Sequence, residues 1–144
     1  MGRDRLLVGL LRAVGLVEAA ALAAVVMPRA WMNDIHASMG LGELPTGPVV
    51  EYLARTVSFI YGGHGVLLWL LATDLVRYRP LIVFTGVAYV VTAVAFLAIN
   101  VATRMPIYWT LIEPAACLVV GGMIVILSRH VPRSASGVHG STSS

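Results

Sequence analysis

Four ionisable side chains lie inside long apolar stretches of this sequence: Glu18, Arg55, His64 and Glu113. A charged group at the depth of a lipid bilayer is costly, so such residues are kept mainly where they pair with one another or handle ions, protons or ligands. Two carboxylates facing one guanidinium leave one acid that must be protonated, hydrated or bound to a cation. These residue types therefore suit a buried ion-pair network, a proton relay or a ligand site.

Four apolar segments must position these side chains, at about residues 6–27, 49–76, 81–103 and 107–128. Each reaches the ~20 residues that a helix needs to cross a bilayer. The chain is 58% hydrophobic and 12% charged, with a mean hydropathy of +0.86, whereas about a quarter of the residues of a soluble domain are charged. We therefore predict an all-α integral membrane protein, with one four-helix transmembrane bundle over residues 1–131.

The longest polar interval between these segments, residues 28–48, contains an amphipathic pattern of its own. Trp31, Ile35 and Met39 recur at i, i+4 and i+8 with polar residues between them, which is the spacing of one helix face. We predict a short exoplasmic helix over residues 30–39 that lies in the membrane interface between the first and second spans. A plain surface loop is the alternative.

Arginines are distributed unequally between the two ends of the predicted helices, and the sequence contains no lysine. One end carries Arg3, Arg5, Arg12, Arg77, Arg79, Arg129 and Arg133, and the other carries Arg29 and Arg104. Because an excess of basic residues marks cytoplasmic loops, we expect both termini in the cytoplasm of a multi-pass protein of the bacterial inner (plasma) membrane. Residues 132–144 are rich in Ser, Gly and Thr, and we predict that they form a disordered cytoplasmic tail.

Membrane orientation also explains the formal net charge of +3. The arginines lie at the ends of apolar segments and form no basic face, so we expect no nucleic-acid partner. The partners that we expect are the lipid bilayer and either a second copy of this chain or another membrane protein.

Depth along the helices predicts a polar cluster built on Arg55. At ~1.5 Å per residue, Arg55 and Glu113 each lie roughly 9 Å from the outer ends of their segments, and Glu18 lies roughly 13 Å in. We therefore predict that Arg55 faces Glu18 and Glu113, with Glu51 one turn from Arg55 on the same helix face. The alternative to a functional site is a buried ion pair that only holds the helices together.

Tyr61 and His64 are the polar residues that we place below this cluster, on another face of the second segment. His64 lies roughly 22 Å from the outer end. As a site residue it would continue a proton path, and the alternative is a neutral histidine bonded to a carbonyl or to Tyr61 of its own helix. Because no other histidine is predicted at this depth, we expect no metal site.

Motifs that would indicate an enzyme are missing from the sequence. It contains no Walker loop, nucleophile elbow, HExxH or CxxC motif, and its single cysteine, Cys117, can form no intramolecular disulfide. We expect a non-enzymatic membrane module without a cofactor, either an accessory subunit or a small-ligand binder. The alternative is a redox or proton-handling protein that uses the intramembrane Glu, Arg and His side chains.

Four short stretches of the sequence are similar to stretches of known proteins: Pro-Arg-Ala-Trp at 28–31, Gly-Leu-Gly-Glu-Leu-Pro at 40–45, Glu-Tyr-Leu-Ala-Arg at 51–55 and Gly-His-Gly at 63–65. The stretch 28–65, which contains them and makes up about a quarter of the chain, resembles uncharacterised small four-helix membrane proteins of bacteria. This resemblance implies a four-helix membrane fold and no particular activity. The topology is also similar to that of DoxX-like membrane proteins, at the level of the fold alone.

Overall fold

The computed structural model describes residues 2–132, and every regular element in that range is an α-helix. The helices are α1 (Gly2–Ala19), α2 (Leu22–Val26), α3 (Arg29–Ser38), α4 (Pro48–Leu71), α5 (Arg79–Ala102) and α6 (Ile107–Ser128). The prediction of an all-helical chain is thus confirmed over the described range. The predicted tail lies outside the described residues, apart from Pro132.

Three stretches of the described chain are long and apolar enough to cross a membrane: Gly2–Val26, Arg79–Ala102 and Ile107–Ser128. The first of them joins α1 and α2. Helix α4 is 24 residues long and contains Glu51, Arg55 and His64, and it is not one of the three.

The predicted second segment ends five residues earlier than expected, at Leu71 rather than at residue 76. Local side-chain hydrogen bonds explain why the helix ends early. The hydroxyl of Thr73 donates to the carbonyl of Leu70 at 2.6 Å, and the backbone N–H of Arg77 donates to Asp74 Oδ1 at 2.9 Å. Such bonds offer the backbone an alternative to the helical ladder and end the helix.

The predicted first helix is interrupted just after Glu18. The backbone N–H of Ala21 donates to the carbonyl of Glu18 at 3.0 Å, and that of Ala23 donates to the carbonyl of Ala20 at 3.1 Å. These i to i+3 bonds tighten the chain into one turn of 3₁₀ type between α1 and α2. The region predicted as an interfacial helix, residues 30–39, is occupied by α3.

The long helices form two pairs, α1 with α4 and α5 with α6. Helices α1 and α2 pack on α4, α5 packs on α6, and α1 also contacts α6. Glycines bring the backbones together in both pairs. A Cβ on Gly65 would lie 2.5 Å from the carbonyl oxygen of Gly15, and a Cβ on Gly121 would lie 2.6 Å from that of Gly86. Small residues at such crossings allow the close approach that helix association in membranes uses.

The hydrophobic core lies at the end of the molecule where the chain begins. Its fully buried apolar side chains come from the start of α1, the end of α4, the start of α5 and the end of α6. They are Leu7, Leu11, Leu68, Leu71, Ile82 and Ile124. The candidate site lies farther along the helices from this core.

Candidate functional site

Glu18 links three helices through hydrogen bonds to both of its carboxylate oxygens. His64 Nδ1 on α4 donates to Glu18 Oε2 at 2.6 Å, and the hydroxyl of Tyr89 on α5 donates to Glu18 Oε1. The rings of His64 and Tyr89 lie 5.7 Å apart between centroids. The side chain of Glu18 is 12% exposed and that of His64 is 35% exposed. We call Glu18, His64 and Tyr89 the Glu18 triad.

Close glycine contacts position the Glu18 triad. Glu18 lies one turn after Gly15, and a Cβ on Gly65, next to His64, would lie 3.0 Å from the Cβ of Glu18. In the other pair, a Cβ on Gly121 would lie 2.8 Å from the Cβ of Tyr89. The helix crossings that seat α1 on α4 and α5 on α6 therefore also bring the three side chains together.

Two adjoining cavities lie against the triad, with volumes of about 240 Å³ and about 530 Å³. Both are lined by Glu18, Tyr61, Tyr89, Phe96 and Cys117. His64 lines the smaller cavity and Glu113 lines the larger one. The walls are mainly apolar and aromatic, with a few polar groups among them, as is typical of small-molecule sites.

Glu113, in the larger cavity, is held by an amide rather than by a cation. Asn100 Nδ2 on α5 donates to Glu113 Oε2 at 3.0 Å, and Asn100 is only 6% exposed. Within residues 2–132, no arginine or histidine lies within salt-bridge distance of Glu113. The carboxyl group is therefore positioned without a partner that would neutralise a negative charge.

Arg55 does not join the two acids, so the predicted cluster built on it is wrong. The ion pairs predicted with Glu18 and Glu113 are missing from the part of the chain that the structure describes. The Arg55 guanidinium instead donates to the carbonyl of Val25, and to that of Met27 at 3.2 Å.

The backbone conformation at the end of α2 explains why the Arg55 guanidinium donates to these carbonyls. Pro28 has no backbone N–H, and Met27 is extended with ψ of 137°, so the last carbonyls of α2 have no helical donor. A cation near a helix C-terminus is also favoured by the helix dipole. Arg55 thus acts as a cap on α2.

Glu51, which the sequence places one turn from Arg55, pairs with Arg29. Arg29, at the start of α3, donates to Glu51 Oε1 at 3.1 Å and to the carbonyls of Leu44 and Pro45 at 3.0 and 3.1 Å. Arg29 therefore links α3 and the loop after it to Glu51 near the start of α4. The pair is 32% and 39% exposed, and such pairs contribute at most about 1 kcal/mol.

Tyr61 lines both cavities, and it shares the smaller one with His64. The alternative in which His64 bonds a carbonyl or Tyr61 of its own helix is wrong, since its partner is Glu18 on α1. Tyr89 and Asn100 are site residues that the sequence reasoning missed. Both are polar residues in the third predicted segment, which is the most uniformly apolar of the four. Tyr89 also follows Gly86 by one helical turn, and this spacing is the signal that would have found Tyr89.

The Glu18 triad offers a carboxylate between an imidazole and a phenol, a chain of groups that can bind or pass a proton. The larger cavity offers apolar space with a second carboxyl group in its wall. No family model, no curated protein and no solved structure matches the chain.

Proposed function

We propose that this is a multi-pass protein of the bacterial inner membrane, with a four-helix bundle whose spans are α1–α2, α4, α5 and α6. Three of these spans are long and apolar enough by themselves, and α4, of 24 residues, equals α5 in length. The excess of arginines at one end supports cytoplasmic termini. Helix α3 then lies on the exoplasmic surface, and its exposed Trp31 and Ile35 support contact with the lipid interface.

Within that membrane domain, we propose a non-enzymatic module that binds a small, largely apolar molecule. The observation that carries this proposal is the cavity of about 530 Å³ beside the Glu18 triad. Ligand sites of proteins have volumes of roughly 300 to 1,000 Å³ and combine apolar walls with a few polar groups that orient the ligand. Tyr89, Glu18 and Glu113 would be those groups here.

Native mass spectrometry of the protein released gently from detergent tests this proposal. We expect a fraction of the molecules to carry a small-molecule mass in addition to the chain. Cys117→Phe should remove that fraction, because Cys117 lines both cavities. Val119→Phe is the matched control, since Val119 lies on the same helix with 59% of its surface exposed. Identical spectra for the two variants would contradict the proposal, provided that both unfold at the wild-type temperature.

The second candidate function is redox or proton handling in the membrane. The observation that favours it is the continuous hydrogen bonding from His64 through Glu18 to Tyr89, since chains of such groups form proton relays. An optical spectrum of the purified protein separates the two candidates. A Soret band or quinone absorbance would favour redox handling, and protein absorbance alone would favour the binding module.

A further inference from the structure

We propose that the larger cavity selects organic cations, with Glu113 as the counter-ion of the bound molecule. The ligand class is an ammonium or other positively charged group attached to an apolar or aromatic body. This inference rests on the proposed binding function and adds the charge of the ligand to it.

The two carboxyl groups of the larger cavity differ in what already satisfies them. Both oxygens of Glu18 accept hydrogen bonds, from His64 and from Tyr89, and His64 lies within salt-bridge distance of Glu18. Glu113 accepts one hydrogen bond from the neutral amide of Asn100. It has no salt bridge to any residue between positions 2 and 132. Glu113 is therefore the group whose charge a ligand would complete.

Arg55 is the residue that depth along the helices predicts as the partner of Glu113, and the structure gives it another role. Its guanidinium is occupied by the carbonyls of Val25 and Met27. An ionised carboxylate in apolar surroundings carries a large desolvation cost unless a positive charge accompanies it. A ligand that brings its own positive charge removes that cost, whereas an anionic ligand would increase it.

The walls of the larger cavity suit the same ligand class. Tyr61, Tyr89 and Phe96 line it together with Glu113, and a cation over the face of an aromatic ring is attracted by the ring's quadrupole, most strongly where water is excluded. Aromatic rings and a carboxylate around one apolar space are the groups that recognise quaternary ammonium compounds. The volume of about 530 Å³ is an observation independent of the charges, and it provides space for an aromatic body.

Cys117 provides a direct test, because it is the only cysteine of the chain and lines both cavities. It lies one helical turn from Glu113, a Cβ separation of roughly 5–6 Å. The experiment compares its modification by three methanethiosulfonates in zwitterionic lipid nanodiscs. The reagents carry a methyl, a trimethylammonioethyl or a sulfonatoethyl group, and each rate is divided by the rate of the same reagent with 2-mercaptoethanol.

We expect the trimethylammonium reagent to react faster than the sulfonate reagent by at least about tenfold in these normalised rates, because a carboxylate one turn away attracts one and repels the other. Dividing the two rates cancels the intrinsic reactivity of the thiol. Glu113→Gln should reduce the ratio towards that of 2-mercaptoethanol. Glu51→Gln is the control, since Glu51 is paired with Arg29 near the start of α4, and it should leave the ratio unchanged.

A ligand of the proposed class should also protect the thiol. We expect benzyltrimethylammonium to slow the reaction of Cys117 with the neutral reagent in the wild type, and to do so less in Glu113→Gln. Equal normalised rates for the cationic and anionic reagents, with the neutral reagent still reacting, would overturn the cation proposal and leave the binding function standing. Failure of all three reagents to reach Cys117 would overturn both.

Discussion

The four ionisable side chains that the sequence singles out, Glu18, Arg55, His64 and Glu113, each have a specific hydrogen-bond partner. Within residues 2–132, no buried side-chain nitrogen or oxygen lacks a hydrogen bond. Glu18 is satisfied by two side chains from other helices, Glu113 by the amide of Asn100, and Arg55 by backbone carbonyls. An unsatisfied polar group in such surroundings costs several kcal/mol, so these bonds fix the relative positions of the helices. The partner of a charged residue in a span can thus be a backbone group as well as a side chain of opposite charge.

Arg55→Met should lower the free energy of unfolding by about 1.5–3 kcal/mol, the range for hydrogen bonds to a charged group. The loss arises from the carbonyls of Val25 and Met27, which no longer have a donor. Because Glu113 bonds Asn100 and has no contact with Arg55, adding Glu113→Gln should change stability independently, within roughly 0.5 kcal/mol of additivity. The measurement is denaturant unfolding in mild detergent for both single variants and the double variant.

Arg55→Lys is the control for charge, since a lysine keeps the positive charge without the planar fork that reaches two carbonyls at once. We expect an intermediate loss for this variant. A large non-additive rescue of Arg55→Met by Glu113→Gln would show that the two residues face each other, contrary to the capping role.

Pairs of glycines determine the spacing of the helices. Gly15 and Gly65 bring α1 onto α4, and Gly86 and Gly121 bring α5 onto α6. Each crossing lies within about one turn of a member of the Glu18 triad. Packing and the site are therefore coupled, because a helix that moves outward at a crossing also carries its polar side chain away from Glu18.

Gly65→Ala should destabilise the protein by about 1–3 kcal/mol, the usual cost of overpacking. Its Cβ would lie 2.5 Å from the backbone of both Gly15 and Ala19, which cannot yield as a flexible side chain can. Gly63→Ala, two residues away on α4, is the matched control, because a Cβ there meets nothing within 4 Å. That change should be neutral or stabilising by up to about 1 kcal/mol, since glycine weakens helix interiors.

Thermal unfolding of the two glycine variants in the same detergent provides the comparison. Equal effects of Gly63→Ala and Gly65→Ala would mean that α1 and α4 do not touch through their backbones at this crossing.

The sequence predicts where the helices are much better than it predicts which of their side chains meet. Helix α6 has the predicted bounds, and α5 begins and ends within two residues of them, because long apolar runs between prolines and polar turns are strong signals. Depth counted along straight helices from their ends places Glu18 and His64 at levels that differ by roughly 9 Å. In the structure their side chains nevertheless meet, with His64 Nδ1 at 2.6 Å from Glu18 Oε2. The chain turns just after Glu18, and α1 and α4 meet at Gly15 and Gly65. Neither the turn after Glu18 nor the glycine crossing can be deduced from the positions of the segment ends.

The whole molecule is asymmetric along its helices. One end contains the close-packed leucine and isoleucine core. The opposite end is held by polar bonds: Arg29 joins α3 to Glu51 of α4, and the hydroxyl of Tyr108 on α6 donates to the carbonyl of Met39 just after α3. The two cavities lie between these ends. In the proposed membrane arrangement, a ligand in them would sit at the middle of the helices, at a level where water is scarce and a carboxyl group has a large electrostatic effect.

Reporter fusions test the orientation of this asymmetric molecule in the membrane. Because the sequence assigns seven arginines to the end that includes Arg79 and two to the other, a reporter fused at Arg79 or at Ser144 should be active in the cytoplasm. A reporter at Gly42, in the loop after α3, should be active on the exoplasmic side. Paired reporters that work only in one compartment, such as a fluorescent protein and alkaline phosphatase, give opposite signals at each site and so control for expression. A cytoplasmic Gly42 together with an exoplasmic Arg79 would reverse the assigned sides and place α3 on the inner surface, whereas Arg79 and Gly42 on the same side would rule out α4 as a span.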